Sequence, residues 1–172
     1  VRTDLFSYKD VPAYPDRSIC LAKVEPRKRQ RVLQSIPDLY YAGNLHDDQF
    51  NSPLYLGEWS KKYLYDNLTD YANLVLLSDG EAHPLVCMEA LSAGLGLVLS
   101  EFAYGNLDPS LPFIDVVPEK LIGNPKYVEK VIKENAAKSL KMRKQIKDYA
   151  ENFSWKNVVN DKYLPAVGRV VP

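Results

Sequence analysis

Apolar residues fall along this chain in two rhythms: short unbroken runs of strand length, and longer stretches where they recur every three or four positions, the spacing of one helix face. Ser18 to Val24, Leu39 to Ala42, Leu54 to Gly57, Leu74 to Leu77, Leu95 to Leu99 and Phe113 to Val117 read as strands. Between them the pattern predicts a short helix ending near Ile36 and a helix capped by Ser60 with Tyr63, Leu64, Leu68 and Tyr71 on one face. A further helix runs from about Pro84 to Ala93, stopped by Gly94. Asn124 and Pro125 open a long helix to about Asn152, with Val128, Val131, Ile132, Leu140, Ile146, Tyr149 and Phe153 inward and its lysines facing solvent. Ser154 and Trp155 enter a last one. The strands on either side of the 84–93 helix make a βαβ unit, whose strands are parallel. The expected fold is α/β: a three-layer sandwich around a mostly parallel sheet of about six strands, with C-terminal helices. Residues 1–17, with prolines at 12 and 15 and little periodicity, read as an extended connector, and 18–172 as the domain.

The 84–93 helix also sets out the candidate chemistry. Ser78, Asp79 and Gly80 turn the chain after a strand, so Glu81 lies at that strand's carboxyl end, where open α/β sheets bind ligands. Glu89 follows about a turn and a half into the helix. Peptide N–H groups around Leu85 and Val86 have no partner within the helix and carry the positive end of its dipole, which favours an anion. Such a site asks for a phosphate beside two acids. With 22 basic and 22 acidic residues the chain has no net charge, so the basic run Arg27 to Arg31 does not extend into the field that non-specific nucleic-acid binding requires. Cys20 and Cys87 sit among apolar residues and read as buried free thiols rather than a disulfide, the pattern of a reducing compartment. No apolar run reaches the ~18 residues of a membrane-spanning helix, Val1-Arg2-Thr3-Asp4 does not begin a signal peptide, and a chain opening on valine reads as a fragment. The polar loop with His46, Asp47, Asp48 and Asn51 reads as hydrated, not as a metal site.

Glu81 and Glu89, with seven residues between them and Ala90 and Gly94 behind, resemble the Glu-x7-Glu signature of family 4 retaining glycosyltransferases of the GT-B fold. Ala22-Lys23-Val24-Glu25-Pro26-Arg27-Lys28-Arg29 is similar, without a gap, to that family's Gly-Arg-x-x-Pro-x-Lys-Gly, and the Phe153-Ser154-Trp155 entry resembles its closing helix. The resemblance covers about Ser18 to Leu164 and implies the Rossmann-like, donor-binding C-terminal half of such an enzyme. It implies that Glu81 faces the transferred sugar, that Glu89 accepts hydrogen bonds from ribose hydroxyls, and that Lys23 and Lys28 grip the diphosphate. The N–H groups of Leu85 and Val86, the loop residue His83 and the turns at Gly43 and Gly57 complete the implied donor site. Ala82-His83-Pro84 stand where Gly-Phe-Gly is common, and proline has no N–H to donate. Lys23 replaces an arginine, giving charge without the two-pronged geometry, and Arg29 stands where glycine is usual. Arg27, Arg29 and Arg31 are expected on the surface, and Trp59 is placed either to stack on a nucleotide base or to pack.

By the same resemblance the reaction moves a hexose from a UDP- or GDP-sugar to a glycan, lipid or protein acceptor, with Glu81 and Lys28 catalytic. Because Lys23, Lys28 and the N–H groups near Leu85 supply positive potential and no Asp-x-Asp stands at a strand end, neither a metal nor another cofactor is expected. The acceptor belongs to a missing N-terminal domain, so the fragment is expected to bind donor and transfer nothing. A cytoplasmic location is expected, with peripheral membrane association open to the full-length protein. The competing reading is a non-catalytic nucleotide-binding or interaction module on the same scaffold. A receiver domain is set aside, because Lys23 and Val24 stand where it needs a phosphorylatable aspartate.

Overall fold

A computed structural model describes residues 1–168; residues 169–172, the tail of the expected 18–172 domain, lie outside the described residues. The sheet is built from β1 (Tyr14–Leu21), β2 (Leu39–Ala42), β3 (Tyr71–Leu76), β4 (Gly96–Ser100) and β5 (Ile114–Val117). Its order is β2-β1-β3-β4-β5, and every pairing is parallel. The chain leaves β1 toward one edge and returns to β3 on its other side, so the winding reverses between β1 and β3. That reversal opens a crevice beyond their carboxyl ends.

Both faces of the sheet are covered. Alternate residues of a strand point to opposite faces: Leu74 and Leu76 join Ile19, Leu21, Leu97 and Leu99 in one core, while Val75 and Leu77 join Cys20 and Val98 in the other. The first core is closed by Cys87, Met88 and Leu91 of helix α3 (Leu85–Ser92), the second by Leu33 of α1 (Gln30–Leu33) and by Ile36. A short α2 (Lys61–Asn67), capped by Ser60 accepting from the Tyr63 N–H, precedes β3. Helix α4 (Pro125–Ala150) starts at the Asn124 cap as expected and serves both layers, with Val128 and Ile132 in one core and Ile146 and Ala150 in the other.

Between those ends α4 crosses the amino edge of the sheet, and its inward stripe there is polar: Asn135, Ser139 and Arg143 are all buried. Asn135 donates to the Leu97 and Phe113 carbonyls at 3.1 and 3.2 Å and to Asp115 at 2.8 Å. Arg143 donates to the carbonyls of Lys9, Thr69, Tyr71 and Ala93. A buried carbonyl left short of a donor costs about 1–3 kcal/mol. Close crossing needs Gly96, since a Cβ there would stand 2.9 Å from both the Ser139 Cβ and the Phe113 oxygen.

Several boundaries differ from expectation. Among the described residues the sheet has five strands, close to the six or so expected. Leu54 to Gly57 contributes only a bridge from Tyr55 to Tyr41, because Pro53 precedes it and Gly57, at φ +78°, turns the chain away. β1 begins at Tyr14, inside the stretch read as connector, and stops at Leu21. The rest of that stretch packs on the domain: Phe6 is buried, the Val1 amino group donates to the Phe153 carbonyl at 2.8 Å, and Lys9 pairs with Asp70 at 2.6 Å. Tyr71 belongs to β3 rather than to the preceding helix, which ends at Asn67. Pro84 is the residue before α3, not its first turn, while Gly94, at φ +81°, follows that helix as expected. After α4 the chain continues through α5 (Trp155–Asn157), a π-helical turn (Val158–Tyr163) and α6 (Leu164–Val167). Among the described residues no helix is long and apolar enough to cross a membrane.

Candidate functional site

Loops from the carboxyl ends of β1 and β3 bring most of the expected residues to the switch-point crevice. Lys23, Lys28, Glu81, His83, Leu85 and Val86 line one open cleft of about 450 Å³, together with Glu25 and Arg27. Lys28 and Glu81 form a direct ion pair there, each with little of its side chain exposed. A charge so sheltered needs a partner, and each supplies the other's. Lys28 comes from a 3-10 turn at Pro26–Lys28. Glu81 is fixed by its own backbone, whose N–H donates to the Phe102 carbonyl at 2.9 Å.

Lys23 is exposed and pairs with Glu25 at 3.3 Å rather than with Glu81. Burial opposes ionisation of Glu25, but the hydrogen bond and charge of Lys23, with Arg27 and Lys28 behind it, hold its carboxyl below the usual range. Three cations thus line the cleft beside two carboxylates. No side chain caps α3, and its first residues, Leu85 and Val86, belong to the same lining, so the positive end of that helix lies at the cleft. His83 reaches Asn106, with Nδ1 3.4 Å from the amide nitrogen.

Three expected residues lie apart from the lining. Glu89 is half-buried and its carboxylate is held by Lys61, 2.7 Å away at the start of α2. Gly43 has a packing role of its own: at φ +141°, a Cβ there would overlap the Ala22 carbonyl, next to Lys23. The Gly43 N–H donates to the Gly57 carbonyl at 2.9 Å, and the Gly43 carbonyl accepts from the Tyr55 hydroxyl at 2.7 Å. Gly57 has open space around it. Trp59 packs, with its ring against Tyr63 at 5.0 Å and Tyr71 at 6.0 Å.

Arg27 is exposed, as expected, and donates to the Gly80 carbonyl. Arg29 is not a free surface residue; it pairs with Glu119 at 2.8 Å. Asp47, read as part of a hydrated loop, is buried and accepts from the Gln49 N–H at 3.1 Å. Among the described residues no three His, Cys, Asp or Glu side chains gather as metal ligands. Both cysteines are buried and unpaired, and burial pushes the Cys20 thiol up to about 12 and raises that of Cys87.

Comparison with known proteins sharpens the fold. No protein-family model and no curated protein sequence matches the chain. Solved structures do. The pneumococcal O-GlcNAc transferase GtfA, solved with UDP and GlcNAc, aligns with a TM-score of 0.65 at 18% identity over 96% of this chain and 38% of its own. Anabaena Alr3699/HepE, solved with UDP and glucose, aligns at 0.70 and 12% over 98% and 55%. Sucrose-phosphate synthase from Thermosynechococcus elongatus aligns at 0.70 and 17% over 99% and 52%. The chain therefore spans 38 to 55% of these three proteins. At such identities the likeness shows the fold, which is the α/β fold found in GT-B glycosyltransferases.

Proposed function

We propose that this chain is the donor-binding domain of a retaining glycosyltransferase, which moves a hexose from a UDP- or GDP-sugar to an acceptor held by a further domain. The observation that carries this reading is the meeting of Lys28 and Glu81, from the ends of β1 and β3, below the uncapped start of α3. GtfA and HepE, which share the fold, were solved with UDP and a sugar.

Departure of a nucleoside diphosphate places extra negative charge on its phosphates. Lys28 and the N–H groups of Leu85 and Val86 are aimed to stabilise that charge, with Lys23 adding to the potential. No metal is needed for this part of the work. The incoming diphosphate takes over the Lys28 ammonium, which frees Glu81 to hold a sugar hydroxyl and stabilise positive charge developing at the ring. A diphosphate oxygen then takes the acceptor's proton, and the acceptor attacks on the face the leaving group departs from. Glu89 holds the ribose hydroxyls once Lys61 yields its carboxylate.

A thermal-shift series with UDP-, GDP- and ADP-sugars tests the binding half. Stabilisation by one nucleotide class, absent in Lys28→Ala, supports it; no stabilisation by any of them overturns it. In protein carrying the acceptor domain, Glu81→Gln is expected to abolish most turnover, and full turnover would overturn the role given to Glu81.

A further inference from the structure

Arg29 holds a backbone conformation that its side chain makes costly. Among the described residues only Arg29, at φ +61°, and Asp38 have positive φ without being glycine, and the left-handed region disfavours any residue with a Cβ. The Arg29 N–H donates to the Pro26 carbonyl and its carbonyl accepts from the Val32 N–H, both at 3.0 Å, and its side chain adds a hold of its own. The Arg29 guanidinium pairs with Glu119 at 2.8 Å and donates to the Leu77 carbonyl at 3.4 Å, with about four-fifths of its side chain covered. Glu119 is itself tied down, since its N–H donates to Glu101 at 2.9 Å. Its second carboxylate oxygen is buried without a partner, so the arginine is the cation that offsets the cost of burying this carboxylate. The loop that follows β1 is thereby fastened to the end of β3 and to the loops after β4 and β5. On the other side of Lys28, the Asp79 N–H donates to the Arg27 carbonyl at 3.0 Å.

Resting on the function proposed above, we infer that Arg29 is a positioning residue for Lys28. The left-handed turn at Arg29 sends its own side chain down to Glu119 and leaves Lys28 directed into the cleft, and the ion pair fixes the turn that glycine would only permit. Arginine suits this place because one planar head reaches a carboxylate and a carbonyl together, which an ammonium on a flexible stem does not fix as well.

Titration calorimetry with UDP or GDP, whichever the wild-type chain prefers, and with the matching nucleoside, tests this in the wild type, Arg29→Gly, Glu119→Gln, Lys28→Ala and the double variant Lys28→Ala/Arg29→Gly. Arg29→Gly keeps the turn, since glycine adopts it freely. It and Glu119→Gln are expected to weaken the diphosphate about tenfold and leave the nucleoside unchanged. In the Lys28→Ala background Arg29→Gly is expected to cost nothing more, the non-additivity of a residue acting through another. Unchanged diphosphate affinity in both anchor variants, equal loss for the nucleoside, or additive losses would overturn the inference. Amide exchange of residues 25–30 without nucleotide separates the two readings. Faster exchange in Arg29→Gly, in a chain whose wild type binds no nucleotide, upholds the anchor and removes the proposed function; unchanged exchange overturns the anchor itself.

Discussion

Gly43→Ala measures how tightly the loops behind the cleft are joined. An alanine Cβ at position 43 would stand 2.6 Å from the Ala22 carbonyl carbon and 3.2 Å from the Lys23 nitrogen, where carbon contacts are ordinarily about 3.5–4.0 Å. Relief requires the two backbones to part by about 1 Å, against the Gly43 to Gly57 and Tyr55 to Gly43 hydrogen bonds. Forcing a methyl into a filled space costs about 1–3 kcal/mol, and positive φ with a Cβ adds about 1–2, so the loss is about 2–5 kcal/mol. At about 2–4 °C per kcal/mol for a domain of this size, Tm falls by about 10 °C. Thermal unfolding followed by circular dichroism reads this directly. A Tm within 2 °C of wild type would refute the steric reasoning, and if nucleotide affinity alone then fell, Gly43 would be serving a ligand rather than the fold.

The buried middle of α4 gives a second perturbation: Arg143→Met leaves four backbone carbonyls short of a donor and is expected to lower the urea-unfolding free energy by about 3 kcal/mol or more, whereas a loss under 1 would show that the carbonyls find other partners. Alkaline pH should destabilise the chain. Burial pushes the Tyr71 phenol, and that of Tyr8, up to about 12, while the unfolded phenols ionise near 10; their contribution is present in full below pH 10 and is lost between 10 and 12, as unfolding releases protons the native state keeps. Urea midpoints that stay level between pH 9 and 11 would contradict this, and Tyr71→Phe should flatten part of the fall. Cys20 and Cys87 are expected to resist iodoacetamide at pH 8 until the chain is unfolded, as read by mass spectrometry; rapid labelling of the native protein would contradict their burial.

The cleft was legible in the sequence as far as chain position determines it. Lys28 and Glu81 each follow a strand closely, so any parallel winding with its reversal between those strands brings them to one edge. What escaped depends on partners far along the chain. Glu119 lies 90 residues after Arg29, and nothing local marks it as the reason a bulky residue tolerates a glycine's place. Lys61 at Glu89 is hidden in the same way. On α4, Asn135, Ser139 and Arg143 look like part of a hydrated face, since polarity signals solvent unless the helix is known to pass open strand ends. β1 extends back to Tyr14 although Pro15 and Asp16 interrupt its apolar run, because Tyr14 pairs with Tyr71 across a shift in register. Leu54 to Gly57 has a strand's composition but too little straight backbone beside β2 to add to the ladder.

The central claim is that the ammonium at position 28 receives a diphosphate. Isothermal titration of UDP and GDP into this chain, beside Lys28→Ala, tests it most directly. Loss of a charged hydrogen bond worth about 1.5–3 kcal/mol predicts binding of one of the two diphosphates weakened about 10- to 100-fold in the variant. Equal affinity in both proteins, or no heat from either nucleotide with the wild type, would contradict it.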